Sequence, residues 1–256
     1  MASRAIRIQR KLNHWFCSRC ARSPWFHPAG MSAGICFITG TDTGVGKTVL
    51  TVLLARRLRE RGVEVRAVKP LCSGGRADAR WLRRAQENEL ALDEVNPWHF
   101  RAPLAPRLAA RREGARVRLK EVLAWLRPMR SCSDLLLIEG AGGLLSPLGE
   151  DFDARRLISA LRARPLVVCP NRLGAVNQAL LVVAALPPAA ARVAQVVLVT
   201  QSKPDSSASG NRRLLNEMLG RRRVHLLPRL RAAHLAGSQP LSPRLRVMLD
   251  RLADLE

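Results

Sequence analysis

The chain has 256 residues, of which 47% are hydrophobic and 25% are charged. This length suits one α/β domain with a sizeable core and does not favour a second full domain. No apolar run reaches the roughly 18 residues that a helix needs to span a bilayer. Composition therefore excludes a membrane-spanning class, and we expect a soluble, cytoplasmic protein with no membrane partner.

The formal charge of +23 would normally indicate a nucleic-acid or membrane-surface partner. However, only five of the 43 basic residues are lysine, and tyrosine is absent. The arginines are scattered, with few aromatic residues between them that could stack on bases. We interpret the charge as a solvated surface and expect no specific nucleic-acid partner.

Residues 1–30 carry six basic residues and no acidic one. Met31 directly precedes the first apolar run, which favours an upstream start artefact or a disordered basic extension. An arginine-rich organelle transit segment is the alternative.

A glycine-rich motif is the most informative stretch of the chain. Residues 35–38 form an apolar run, residues 40–48 read Gly-Thr-Asp-Thr-Gly-Val-Gly-Lys-Thr, and a leucine-rich helix is predicted to follow. In a strand, phosphate loop and helix of this kind, backbone N–H groups wrap a polyphosphate, Lys47 reaches the outer phosphates and Thr48 ligates Mg²⁺. Five residues, instead of the usual four, separate the first glycine from the Gly-Lys-Thr triplet. A plain glycine turn would not explain a lysine and a threonine at the helix start.

The next strand, predicted over residues 63–68, is followed by a lysine and a proline. Lys69 would place an ammonium group in the crevice where open parallel sheets bind ligands. A lysine that caps a loop is an equal alternative. Asp78 opens the following helix, where it could favour the helix dipole or hold a metal.

Residues 93–118 contain several prolines and are predicted to form a long irregular loop, which in a compact domain is functional or mobile. A helix from Leu119 to Leu126 should follow, ended by Pro128.

A second acidic candidate stands at the end of the next apolar run. Residues 135–138 are typical of a strand buried on both faces of a parallel sheet. Glu139 follows directly and is placed to hold Mg²⁺, while the glycines over residues 140–143 would let a substrate lie against the backbone. A carboxylate without a partner there would be costly.

The rest of the chain repeats the alternation of helices and strands. We predict strands over 166–169, 194–199 and 224–227, helices over 153–162 and 209–219, a helix that opens within 171–178 and runs to Ala185, and a terminal helix with Ser242 as its cap and Pro243 at its first position. This order predicts a single-domain, doubly wound, mostly parallel sheet flanked by helices.

Several segments together resemble one family, the dethiobiotin synthetases of the phosphate-loop NTPase superfamily. They span residues 34–205 in the family's order, and the longer glycine loop is a property of the family. The matching segments are 40–48, 68–70 with Ser73 and Gly74, Asn96 and Pro97 with Phe100 and Pro103, 138–143, and Leu173 and Gly174 with Asn177. The implied organisation is the extension over residues 1–30, a synthetase domain over 31–228 and a helical tail over 229–256.

The resemblance implies an ATP-dependent ring closure in biotin synthesis. CO₂ becomes a carbamate on one amine of 7,8-diaminononanoate, and ATP phosphorylates the carbamate to a carbamic-phosphoric anhydride. The second amine then attacks, which gives the cyclic urea of dethiobiotin. ATP is the implied co-substrate, Mg²⁺ the cofactor and a homodimer the assembly.

The resemblance also implies roles for individual residues. The catalytic groups would be Lys47, Lys69, Thr43 and Ser73, and the Mg²⁺ ligands would be Thr48, Asp78 and Glu139. The nucleotide contacts would be Thr41, Asp42, Thr43, Gly44, Val45, Gly46, Lys47, Thr48, Glu139, Gly142 and Gln201. The substrate contacts would be Ser73, Gly140, Ala141, Gly142 and Gly143, with Gly174 and Asn177 receiving the substrate carboxylate at a helix N-terminus across the dimer interface.

Two positions depart from the family pattern. Gly44 stands where the family often has Glu, and Gln201 stands where it usually has a base-reading Asn, so the resemblance does not give the nucleotide preference. The alternative function is a partition- or positioning-type ATPase that binds DNA or a membrane through its arginines. Glu139 disfavours it, because those ATPases typically carry Asp at that strand end. An inactive or repurposed paralogue is the third hypothesis.

Overall fold

The computed structural model describes residues 34–220, 222–230 and 232–253, so the predicted extension over residues 1–30 lies outside the described residues. The strands are β1 (Gly34–Gly40), β2 (Val65–Val68), β3 (Leu71–Ser73), β4 (Trp98–Phe100), β5 (Leu135–Glu139), β6 (Arg164–Asn171), β7 (Gln195–Thr200) and β8 (Val224–Leu227). A main sheet of six parallel strands has the order β2-β5-β1-β6-β7-β8, and β3 and β4 pair in a separate parallel sheet.

Helices connect the strands and cover the main sheet. They are α1 (Lys47–Glu60), α2 (Ala77–Ala85), α3 (Leu92–Val95), α4 (Pro106–Arg112), α5 (Leu119–Ser131), α6 (Ala154–Leu161), α7 (Ala175–Ala185), α8 (Pro188–Val193), α9 (Asn211–Leu219), α10 (Ala232–Ala236) and α11 (Pro243–Leu252), with a 3₁₀ turn at Ser206–Ser209. In the part of the chain that the structure describes, no helix is both long enough and apolar enough to cross a bilayer.

The main sheet is buried on both faces, which explains the continuous apolar runs of its strands. Alternate residues of β1 join opposite clusters: Phe37 belongs to the cluster that contains Trp125 of α5, and Cys36 belongs to the cluster that contains Leu54 of α1. The predicted doubly wound parallel sheet is confirmed.

The strand order reverses at β1, which lies between β5 and β6. Open α/β sheets bind ligands at such a reversal, outside the carboxyl ends of the strands. Ile38 of β1 is in register with Glu139, the last residue of β5. The phosphate loop after β1 and the carboxylate of Glu139 therefore meet at one edge of the sheet.

Two of the local predictions are wrong. Residues 93–118 are not one irregular loop, because they contain β4 and α4, with Pro106 at the first helical position that tolerates proline. Pro128 does not end its helix, since α5 continues to Ser131. Trp125 and Met129 are fully buried in that helix, and this packing outweighs the hydrogen bond that proline removes. The other predicted ends differ from the structure by a few residues.

The C-terminal helix α11 packs on α1. The predicted cap is confirmed, because the Ser242 hydroxyl accepts a hydrogen bond from the Leu245 N–H at 3.3 Å. Leu249 joins the apolar cluster of α1. The Arg57 guanidinium donates two hydrogen bonds of 2.7 Å to the two carboxylate oxygens of Asp250. These contacts attach the last described helix to the helix that follows the phosphate loop.

Candidate active site

The loop between β1 and α1 has the backbone of an anion-binding turn. Gly44 and Gly46 have φ angles of 74° and 103°, in the left-handed region that favours glycine. Helix α1 begins directly after Gly46, so the unpaired N–H groups of its first turn lie at the loop. The Val45 side chain is buried in the hydrophobic core and so attaches the loop to the rest of the domain.

Lys47 is buried inside this loop. Its Nζ donates a hydrogen bond of 2.7 Å to the carbonyl oxygen of Asp42, while the Asp42 carboxylate accepts the Thr43 N–H. Burial, followed by the charge of Lys69, lowers the pKa of Lys47 to about 8. An ammonium held by a single carbonyl can be drawn to phosphate oxygens, which are stronger acceptors.

Lys69 lies between two carboxylates. Its Nζ is 2.5 Å from Glu139 Oε1 and 2.6 Å from Asp78 Oδ2. The Thr48 hydroxyl donates to the same Glu139 oxygen at 2.8 Å. Helices α1 and α2 and strand β5 thus bring the three predicted metal ligands together around Lys69, one of the predicted catalytic groups.

The charges in this cluster stabilise one another. Burial alone would lower the pKa of Lys69, but Glu139 and Asp78 outweigh it and raise that pKa above its usual value. Burial alone would raise the pKa of Asp78, but the Lys69 ammonium outweighs it and keeps that pKa below its usual range. Lys69 is therefore a fixed cation at neutral pH.

Asn96 holds the backbone that carries Lys69. The Asn96 side chain is fully buried, and its Nδ2 donates to the Lys69 carbonyl oxygen at 2.7 Å. Its Oδ1 accepts a hydrogen bond of 3.1 Å from Arg76 Nε. Asn96 therefore connects β2 to the segment before α2.

The donor set fits Mg²⁺. Glu139 Oε2 is buried and has no hydrogen-bond partner, so one oxygen of this carboxylate is left for a ligand. No group of three or more His, Cys, Asp or Glu residues within the described ranges is placed to hold a metal. Mg²⁺ does not require one, because it is usually bound by one or two carboxylates together with substrate phosphates. Thr48, Asp78 and Glu139 carry the oxygen atoms that could hold Mg²⁺ in such a shared site.

A cavity of about 630 Å³ joins the phosphate loop to the Lys69 cluster. The predicted site residues that line it are Thr43, Gly44, Gly46, Lys47, Thr48, Lys69, Ser73, Asp78, Glu139, Ala141 and Gly142. The predicted contacts that do not line it are Thr41, Asp42, Val45, Gly140, Gly143, Gly174, Asn177 and Gln201.

Gly140 and Gly143 shape the turn after β5 instead of lining the cavity. A Cβ on Gly140 would lie 3.0 Å from the Phe37 ring. The Gly143 N–H already donates to the Ser146 hydroxyl at 2.9 Å. A Cβ on Gly142, whose φ is 70°, would lie 2.4 Å from that hydroxyl oxygen. The turn after β5 is therefore tight enough to require glycine. Of its residues, only Ala141 and Gly142 line the cavity.

The three distal predictions lie elsewhere on the carboxyl edge. Gly174 and Asn177 are exposed at the start of α7, next to Leu173, which is 76% exposed. The Gln201 amide folds back on its own strand and donates to the Val199 carbonyl oxygen at 2.7 Å. Within the chain, none of the three faces the cavity.

Sequence reasoning missed much of the cavity wall. The missed lining residues are Val49, Cys72, Gly75, Pro103, Leu104, Ala105, Pro106 and Ser146. The prolines of residues 93–118 indicated only a functional or mobile segment and gave no role for it. Ser146 carried no signal in the sequence.

Comparisons with known proteins show the family to which the chain belongs. A family described as "AAA domain" matches residues 35–234. The ATP-dependent dethiobiotin synthetase BioD of Bacillus subtilis (strain 168) is 32% identical over 200 residues, which are 76% of this chain and 87% of that protein. The protein of the same name from Anaeromyxobacter sp. (strain K) is 39% identical over 197 residues, which are 75% and 88% of the two chains. The chain belongs to the dethiobiotin synthetase family.

Dethiobiotin synthetases are ATP-dependent ligases, which places this chain among the enzymes of that class. Two solved structures share its fold. The MinC:MinD cell division protein complex of Aquifex aeolicus has a TM-score of 0.57 at 15% identity, covering 88% of this chain and 97% of that one. A ParA family ATPase from Chlorobium tepidum TLS has a TM-score of 0.55 at 11% identity, covering 87% and 99%. At these identities the likeness shows the phosphate-loop NTPase fold alone.

Proposed function

We propose that this protein is an ATP-dependent dethiobiotin synthetase, which closes the urea ring of dethiobiotin from 7,8-diaminononanoate and CO₂ in biotin synthesis. The observation that carries the proposal is the shared cavity. Its lining includes Lys47 with the phosphate loop, which we call the nucleotide end, and Lys69 with Ser73 and residues 103–106, which we call the diamine end. A phosphoryl donor and a diamine can meet between these ends. The proposal agrees with the names of the relatives.

The chemistry needs positioning and charge neutralisation more than covalent help, because amines attack a carbamate-derived anhydride readily once they are held in line. Lys47 and the loop N–H groups hold the γ-phosphate. Lys69 keeps its proton at neutral pH, so it neutralises the carbamate and then the transferred phosphoryl group without acting as a base.

The hydroxyl groups of Ser73 and Thr43 have different roles in this proposal. The Ser73 hydroxyl donates to the Leu104 carbonyl, so toward the substrate it can only accept, which suits an amine N–H. The Thr43 side chain lines the cavity beside the phosphate loop and is left to donate to a phosphate oxygen.

Thr48, Asp78 and Glu139 would hold Mg²⁺ in this proposal. When bound, Mg²⁺ supplies positive charge that neutralises the outer phosphates of ATP. Gly44 leaves open space where a longer residue would reach toward the nucleotide, since a Cβ there would meet no atom within 4 Å.

We propose further that the enzyme is a homodimer, in which Gly174 and Asn177 receive the substrate carboxylate of the partner's site. Leu173 and Leu181 are 76% and 62% exposed at the start and along the length of α7. Large apolar side chains exposed together are typical of an interface. Sedimentation equilibrium of the wild type and of Leu181→Glu tests this, and a wild type that stays monomeric at micromolar concentration would contradict it.

The function is tested by ADP release from purified protein with MgATP and bicarbonate, with and without 7,8-diaminononanoate, and with mass detection of dethiobiotin. Diamine-dependent release matched by product would support the synthetase. ADP release that does not depend on the diamine would favour a partition-type ATPase. No ADP release would favour a repurposed paralogue.

A further inference from the structure

Residues 101–106, which we call the strap, form the apolar wall of the cavity. Pro103, Leu104 and Pro106 line the cavity, which the phosphate loop also lines. The strap is attached to the end of β3 on one side, where the Ser73 hydroxyl donates to the Leu104 carbonyl and Gly74 packs against Pro103. An apolar wall suits the hydrocarbon chain of a diamine and not a phosphate.

The other side of the strap depends on contacts with residues 144–153, which we call the 144–153 loop. The Arg107 N–H donates to the Pro147 carbonyl oxygen at 3.2 Å. The Glu150 N–H donates to the Val117 carbonyl oxygen at 2.8 Å. A Cβ on Gly149 would lie 2.4 Å from the same Val117 oxygen, so the 144–153 loop is also packed closely against the segment between α4 and α5. Ser146 of this loop also lines the cavity.

One carboxylate holds the two segments together through side chains. Glu150 accepts two hydrogen bonds from Arg111 of α4, of 2.9 and 2.6 Å. Arg107 and Arg116 each place a guanidinium nitrogen 4.0 Å from Glu150 Oε2. The Glu150 side chain is 11% exposed, whereas the side chains of Arg111 and Arg116 are 45% and 71% exposed, so solvent weakens each ion pair. Without this carboxylate, three like charges would face one another beside the strap.

We propose that Glu150 is a positioning residue for the diamine: by clamping α4 to the 144–153 loop, it fixes the distance between the strap and the 141–142 backbone. The ion-pair partners of Glu150 include no residue of the phosphate loop, so we expect the clamp to affect the diamine more than ATP. This inference rests on the proposed function, because it takes the diamine as the occupant.

The test compares Glu150→Gln with a matched control, Asp250→Asn. The control removes an equally bidentate arginine pair, Arg57–Asp250, at the far end of α1. In Glu150→Gln we expect KM for the diamine to rise about threefold to tenfold, while kcat and KM for ATP change by less than about twofold. Glu150→Asp, which keeps the charge, should restore KM for the diamine to within about twofold of the wild type. In Asp250→Asn we expect both KM values to be unchanged.

A second readout does not depend on turnover. Amide hydrogen exchange of the strap in the free protein should be faster in Glu150→Gln than in the wild type, and unchanged in Asp250→Asn. An unchanged KM for the diamine in Glu150→Gln, with normal wild-type turnover, would overturn the clamp and leave the proposed function standing. A wild type without diamine-dependent turnover would overturn the proposed function and the diamine as occupant together.

Discussion

The two ends of the cavity are built in different ways. The nucleotide end comes from one continuous run of residues, in which Lys47 is held by a carbonyl only five positions earlier. The diamine end is assembled from distant segments: Lys69 meets Glu139 across 70 positions, and Arg111 meets Glu150 across 39. A site made by local backbone geometry leaves a motif in the sequence, whereas one made by long-range packing does not.

The largest effect should come from the centre of the nucleotide end. We expect Lys47→Ala to lower kcat/KM for ATP by about two to three orders of magnitude, because the γ-phosphate loses its cation. The variant should fold normally, since burial already disfavours the Lys47 charge. Steady-state kinetics and urea unfolding measure the two properties. Near-normal dethiobiotin formation would remove Lys47 from the mechanism.

Glu139→Gln acts where the two ends meet, and we expect turnover to fall by about two orders of magnitude. The free energy of unfolding should also fall by roughly 1–3 kcal/mol, because buried Lys69 loses one of its two carboxylates. Glu217→Gln is the control, since it removes only the exposed Arg213–Glu217 pair, whose atoms are 3.8 Å apart. Equal kinetics in the two variants would show that Glu139 has no part in turnover.

Asn96→Ala tests the support of the diamine end. The variant loses the hydrogen bond to the Lys69 carbonyl, so we expect about 1–3 kcal/mol less stability. We also expect kcat to fall about tenfold, because small displacements of a positioned group are costly. Denaturation and kinetics should be measured on the same preparations. A loss of stability with an unchanged kcat would limit Asn96 to a structural role.

The pH dependence of ATP binding separates the two lysines. Because the pKa of Lys47 is about 8, we expect the Kd for MgATP to rise above pH 8, approaching about tenfold per pH unit. Lys69 stays protonated in this range and should not contribute. Calorimetric titration from pH 7 to pH 9.5 measures the effect. Lys47→Arg keeps its charge, so a slope as steep in that variant would contradict the assignment.

We expect the smallest effect from His225 in β8, which lies outside the cavity and affects only the stability of the protein at acid pH. Burial, aided by the charges of Arg251 and Arg212, lowers the pKa of His225 to about 4. The unfolded chain takes up this proton at higher pH, so stability is complete above about pH 6.5 and is lost as the pH falls toward 4. We expect His225→Leu to narrow the difference in Tm between pH 7 and pH 5. An unchanged difference would show that other groups cause the acid sensitivity.

The sequence predicted the nucleotide end because its loop needs glycines, a lysine and a threonine at fixed spacing. It also predicted the meeting of Lys69, Asp78 and Glu139, since the ends of neighbouring parallel strands share one edge. The short strands β3 and β4 were not predictable, because elements of three residues form only when a partner is present. The prediction that Pro128 ends its helix was wrong for a similar reason, since the local sequence pattern does not show how Trp125 packs.

The strap and its clamp were beyond the reach of the sequence. Glu150 lies in a segment without a motif, and its partners come from a region that was predicted to be irregular. The roles of Gly174, Asn177 and Gln201 stay predictions, because they depend on a partner subunit or a nucleotide.

The packing of α11 on α1 affects how the chain can fold during translation. Leu245 and Leu249 cover the same apolar cluster as Leu50 and Leu54, and the Arg57–Asp250 pair spans 193 positions. Until the ribosome releases the last helix, the back of α1 keeps an uncovered apolar surface that is prone to aggregation. A chain that stops before residue 243 would keep every residue of the phosphate loop. Helix α1, which follows that loop, would then lack the apolar contacts of α11.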